Sequence, residues 1–143
     1  MISKSQILAL VPHKNLNTNV WDTDSLKPVI RTKLLKIAQD FYAYLDVDAP
    51  LLDITLTGSL ANFNYTKASD FDLHLIFNYS DVDENVDLVE KFLSAKKSVW
   101  NDKHNIKIKG YEVELYAQNA SEPHHSTGVY SIIKDEWIIK PKR

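Results

Sequence analysis

Cysteine is absent from all 143 residues, which excludes disulfides, thiolate zinc sites and cysteine nucleophiles and leaves the redox compartment unmarked. No stretch approaches the roughly 20 apolar residues that cross a bilayer, so no membrane-spanning helix is expected. Met1 to Asn15 carries two lysines and a short apolar run from Ile7 to Val11, too short for a secretory core and without a small-residue cleavage pattern. A cytoplasmic protein is the reading. An excess of one charge is also missing: 17 Lys and Arg against 19 Asp and Glu give a net charge of −2, so nucleic acid is not held chiefly by phosphate neutralisation. Any polyanion contact is local, with Lys96, Lys97, Lys103, His104, Lys107 and Lys109 as the first candidate group and Lys140, Lys142 and Arg143 as the second. Lysine's preference for solvent makes plain surface the default for both groups. There is no internal repeat and no low-complexity segment. With 44% hydrophobic and 25% charged residues, the chain has the makings of a core, and a single domain over 1–143 is expected.

What is present reads as α+β. Leu26, Ile30, Leu34, Ile37, Phe41 and Leu45 recur every three or four residues, which predicts a helix with one buried stripe. Asp24 or Ser25 is its expected cap, and Pro28 falls in the first turn, where a missing N–H does no harm. Leu52, Ile54 and Leu56 then alternate with Asp53, Thr55 and Thr57, a strand that runs into Gly58-Ser59 and a short helix over Leu60 to Tyr65. Phe71 to Phe77 is a second strand: its odd positions are apolar, while Asp72, His74 and Ile76 share the other face with Asp70 just ahead.

Asp81 to Glu84 looks like a helix start, so a second helix is expected over 83 to 100. It carries Val86, Val89, Leu93 and Trp100 on one side, with Leu88, Phe92, Ala95 and Val99 adjoining. From Ile106 onward a strand changes parity at Gly110, through a bulge or a tight turn, and then sets Glu112, Glu114 and Tyr116 against Val113 and Leu115. A closing hairpin is expected over about 128 to 140. The order of elements implies a mixed, twisted sheet backed by helices.

Asp70 and Asp72 project from one face at the start of a strand, close enough to share a divalent cation. Without a cation they repel, and one tends to stay protonated. Mg²⁺ suits them, because it prefers hard oxygen ligands and bridges to nucleotide phosphates; Mn²⁺ is the expected substitute. Gly58-Ser59 lies at a strand end, where a glycine lets a phosphate approach the backbone and Ser59 adds a hydroxyl donor. Glu112 or Glu114 completes a three-carboxylate cluster if their strand lies beside that of Asp70, and Glu114, flanked by Val113 and Leu115, is the preferred one.

Gly58-Ser59, ten intervening residues, Asp70-Phe71-Asp72 and then an acid flanked by hydrophobic residues resemble the DNA polymerase β-like nucleotidyltransferase superfamily, in the style of its small stand-alone bacterial or bacteriophage members. The resemblance covers residues 51 to 116. It implies a palm-like sheet on which Asp70, Asp72 and Glu114 are catalytic and hold two Mg²⁺ ions, while Gly58 and Ser59 bind the triphosphate of ATP or another nucleoside triphosphate. It also implies transfer of a nucleoside monophosphate to an acceptor, whether RNA, protein or small molecule, with release of pyrophosphate. An inactive nucleotide- or partner-binding module on the same fold is the alternative. The short chain leaves room for a homo-oligomer or partner subunit to complete the cleft.

Taken singly, Gly58-Ser59 reads as a turn and Asp70 with Asp72 as a solvated strand entrance; it is their combination that points to chemistry. His74 reads as a hydrogen-bonded structural histidine, His124-His125-Ser126 as loop residues, and Lys67 as a surface lysine between the turn and the acids. Trp21, Tyr42, Trp100 and Trp137 read as packing residues rather than base-stacking platforms.

Overall fold

The computed structural model describes residues 11–143, so most of the apolar Ile7 to Val11 run lies outside the described residues. Its first elements are a two-residue antiparallel pair, β1 (Trp21–Asp22) and β2 (Ser25–Leu26), turned at Thr23 in the left-handed region. Trp21 and Leu26 face each other across it and are both buried. This pairing takes Ser25 and Leu26 out of the expected helix. The first helix, α1, therefore runs Pro28–Leu45, and its cap residue Lys27 makes no side-chain bond, so neither Asp24 nor Ser25 caps it. Asp24 instead meets Lys140 at 3.0 Å. Ile30, Leu34, Ala38, Phe41 and Leu45 form the buried stripe of α1, and the expected Ile37 packs half-buried beside it.

A six-stranded sheet follows, in the order β5-β6-β4-β3-β7-β8. Its strands are β3 (Asp53–Thr57), β4 (Phe71–Phe77), β5 (Lys107–Ile108), β6 (Tyr111–Asn119), β7 (Val129–Ser131) and β8 (Glu136–Ile139). Leu52 lies just outside β3 and is exposed. β4 and β6 are parallel, joined by the second helix, α2 (Val86–Lys103), and every other neighbouring pair is antiparallel. The class is α+β, with a mixed sheet and, among the described residues, two α-helices. α1 packs on β4 and α2 on β6. Under them Phe71, Leu73, Leu75 and Phe77 are fully buried, as their alternation predicts, each contributing about 1.5–3 kcal/mol of hydrophobic stabilisation. Trp21, Trp100 and Tyr42 pack against this core, with Trp100 edge-on to Phe41 and Trp137 stacked on Trp21 at 4.7 Å.

The second helix begins three residues later than its acids suggested. Tyr79–Asp81 forms a 3-10 turn, and Asn85 is the cap, its side chain accepting from the Leu88 N–H at 3.2 Å. Leu88, Phe92, Ala95 and Val99 stay exposed, because α2 rests on β6 near the sheet edge, beyond which lies only the two-residue β5. The parity change at Gly110 is a tight turn: Lys109 and Gly110 are both left-handed, the geometry of a two-residue hairpin joining β5 and β6. The closing hairpin is β7 with β8, carrying a bulge at Val129/Tyr130. No helix among the described residues is long and apolar enough to cross a membrane.

Candidate metal centre

The parallel register of β4 and β6 sets Asp72 directly beside Glu114, on the face opposite the helices. Asp70, two residues earlier, projects from the same side. One oxygen from each of Asp70, Asp72 and Glu114 lies within 4.8 Å of the others, an arrangement that can hold a metal ion. Glu112 stays outside this trio; it is exposed and pairs across the hairpin with Lys107.

The electrostatics mark the trio as short of positive charge. Burial, then Glu114, then Asp70 push the Asp72 carboxyl up to about 6. Asp70 is raised in the same sense by burial, Glu114 and Glu112. Among the described residues no lysine, arginine or histidine forms an ion pair with any of the three; the ion pairs are Arg31–Asp135, Lys36–Asp40 and Lys140–Asp24. Three hard oxygen donors without a protein counter-charge fit a divalent cation such as Mg²⁺ or Mn²⁺.

Gly58 ends the antiparallel neighbour β3, where Thr57 pairs with Asp72. Its backbone has φ 83° and ψ −170°, a region open essentially to glycine alone. A Cβ here would run into Asp72 Oδ2 and lie 3.1 Å from its Cγ, so the missing side chain makes room for the carboxylate. The short helix expected over Leu60 to Tyr65 is only one 3-10 turn, Ser59–Ala61, too short to sum an appreciable dipole. The turn therefore offers individual donors rather than a helix dipole. Ser59 Oγ is 2.5 Å from Ser69 Oγ, which also accepts the Thr66 N–H at 2.8 Å, so the two turns are tied together.

Glu114 is held from the side. The Tyr116 hydroxyl donates to Glu114 Oε2 at 2.5 Å, and burial with this bond raises the phenol. The Tyr116 ring stacks on His74 (4.8 Å, 16°), Lys97 Nζ sits 4.7 Å from its centroid, and His74 Nε2 is 3.1 Å from Thr57 Oγ1. His74 is thus hydrogen-bonded, as the sequence suggested. Tyr116, Ser69 and Thr57 were not singled out from the sequence, although Tyr116 and Thr57 have the parity of the acids; Lys97, named there only among candidate polyanion contacts, reaches Tyr116 from α2. Tyr116→Phe is expected to weaken Mn²⁺ binding about tenfold while leaving the fold intact, as loss of a ligand's outer hydrogen bond usually does. Calorimetric titration checks it, and an unchanged affinity would mean that Tyr116 does not hold Glu114.

Two neighbours on one strand oppose each other in pH dependence. Asp72 is raised from 3.8 to about 6, so its contribution to stability is full below pH 3.8 and lost as pH rises through 6. His74 is lowered from 6.5 to about 4 by burial, then His124 and Lys97; its contribution is full above pH 6.5 and lost as pH falls through 4. After solvent screening each amounts to about 2 kcal/mol, so between pH 4 and 6 the two pull stability in opposite directions in metal-free protein. Asp72→Asn should leave stability rising with pH across that window, and His74→Asn should leave it falling. Urea melts of the three proteins without metal measure this, and identical profiles would refute the assignment.

Lys67 and Lys107 line a cleft of about 270 Å³ with Asp70 and Glu112, while Lys96 donates to the Tyr44 carbonyl at 2.8 Å and Lys140 pairs with Asp24. His125 and Ser126 line a second cleft of about 290 Å³ with Gly58, Ser59 and Asn62. No family model, curated protein or solved structure matches this chain.

Proposed function

We propose that the protein is a Mg²⁺-dependent nucleotidyltransferase, moving a nucleoside monophosphate from a nucleoside triphosphate to an acceptor hydroxyl and releasing pyrophosphate. The observation that carries this reading is the convergence of Asp70, Asp72 and Glu114 oxygens within 4.8 Å on two parallel strands, beside a glycine-serine turn. The sequence resemblance to polymerase β-like nucleotidyltransferases, with their palm-like sheet, supports the same reading. In it, Asp70, Asp72 and Glu114 are the ligands of two ions. Gly58 keeps the backbone open to the triphosphate and Ser59 presents a hydroxyl to it. Tyr116 fixes the orientation of Glu114. When bound, the divalent cations neutralise phosphate charge and acidify the attacking hydroxyl. The acceptor oxygen forms a bond to the α-phosphorus, and the bond from that phosphorus to the pyrophosphate oxygen breaks. The acceptor's proton leaves to solvent.

The test is incubation with each α-labelled nucleoside triphosphate, Mg²⁺ and cell extract, comparing the native protein with Asp70→Asn and Asp72→Asn. Transfer of label by the native protein alone is the expected result. Equal labelling by all three proteins would overturn the reading.

A further inference from the structure

On the face that carries the acids, one step further along the strands, lies a cleft of about 190 Å³. Its floor is Thr57, His74 and Tyr116, and its wall combines Gln118 with Glu122 and His124 from the loop joining β6 to β7. We infer that this cleft receives the base of a nucleotide. The inference rests on the reading above for the position of the phosphates and on the cleft's own chemistry for the base.

Position comes first. His74 follows Asp72, and Tyr116 follows Glu114, by two residues on adjacent parallel strands. Two residues of strand span about 7 Å, the stretch that a ribose bridges between its α-phosphate and its base. His125 and Ser126 line both this cleft and the one at Gly58 and Ser59, so the phosphate turn and the cleft are continuous.

Charge comes second. The cleft is lined by one carboxylate, Glu122, and by no lysine or arginine, which suits a neutral heterocycle and opposes a phosphate. Lys67 and Lys107 line the cleft on the other side, with Asp70, while Lys97 lies over the Tyr116 ring without lining the base cleft. A nucleotide laid across the acids thus meets Lys67 and Lys107 at its phosphate end and the His74 and Tyr116 rings at its base end.

Shape comes third. The His74 and Tyr116 rings project from neighbouring strands and stack on each other at 4.8 Å, giving the cleft an aromatic floor against which a planar ring can pack. The Gln118 amide offers a donor and an acceptor, and Glu122 an acceptor, to the edge of a ring. The volume fits one planar heterocycle rather than a whole nucleotide.

The experiment compares ATP, GTP, CTP and UTP with inorganic tripolyphosphate by calorimetry in Mg²⁺, using the native protein, Gln118→Ala and His124→Ala. In parallel, adenosine, guanosine, cytidine and uridine are titrated while the histidine ring protons are followed by NMR. At least one triphosphate should bind about tenfold more tightly than tripolyphosphate, since a stacked base contributes on the order of that factor. Each substitution should erase most of this advantage without altering the affinity for tripolyphosphate, and the matching nucleoside should shift the His74 and His124 signals. If all four triphosphates bind only as well as tripolyphosphate and no nucleoside moves those signals, the cleft does not hold a base, whereas the phosphate site stands. If tripolyphosphate fails to bind but a nucleoside shifts the signals, the cleft assignment survives and the triphosphate reading falls. Silence in both measurements overturns both.

Discussion

Asp72→Asn should abolish label transfer, by about a thousandfold or more, and at the same time make the metal-free protein more stable at pH 7. Under the proposed function the loss follows from removing the central carboxylate of the trio: Asp72 stands beside Glu114 in register and shares its strand face with Asp70. Metal-ion assistance contributes several kcal/mol to charge stabilisation in such displacements, and each 1.36 kcal/mol is about tenfold in rate. The gain follows from the same crowding. Because burial and two neighbouring carboxylates raise the folded-state pKa to about 6, the ionised form at pH 7 destabilises the fold, and a neutral amide relieves about 2 kcal/mol of that after screening. Mg²⁺ should reverse the ranking, stabilising the native protein by about 2.7 kcal/mol at a hundredfold excess over its dissociation constant and leaving the variant nearly unmoved. Thermal melts with and without Mg²⁺, run beside the transfer assay, measure both halves. A variant that lost activity and stability together would instead indicate simple unfolding.

Gly58→Ala is expected to damage the site from the other side, lowering stability by about 1–3 kcal/mol and Mn²⁺ affinity by at least about tenfold. The backbone at φ 83° and ψ −170° is strained for any residue with a Cβ, and that strain alone accounts for the stability loss. The added methyl also falls on Asp72 Oδ2, so the carboxylate must turn away from Glu114 or the end of β3 must shift. Gly110→Ala is the control: Gly110 has a similar φ of 85°, but a Cβ there meets nothing within 4 Å. It should show the strain without the loss of metal affinity. Urea melts and Mn²⁺ titration of both variants separate the two effects, and equal metal affinities would remove Gly58 from the site.

Much of this arrangement was legible in the chain. Strict alternation over Phe71 to Phe77 put the core residues on one face and Asp72 on the other, because strand parity depends only on the backbone. The same rule put Glu114 and Tyr116 on one side of β6. What alternation does not carry is where the sheet ends. Leu88, Phe92 and Val99 keep helical spacing yet remain exposed, since only the short β5 lies beyond β6. Competition among caps was equally hidden: Asp83 accepts the Asn85 N–H in a local turn, and Asn85 then starts α2. Leu26 looked helical because its spacing fits the stripe, but burial against Trp21 draws it into β2. In the site, Gly58, Ser59, Asp70 and Asp72 stood out by their spacing. The contacts of Ser69 and Lys97 depend on how separate segments meet, which no local pattern records.

The one parallel pairing in the sheet has a kinetic consequence. Glu114 reaches Asp72 only when the chain has passed through α2 and returned, so the acid trio belongs to a contact between segments far apart in sequence. Such contacts carry the largest loop-closure cost and tend to form late. A cation bound there holds the finished structure shut and slows its opening, while doing little to hasten assembly.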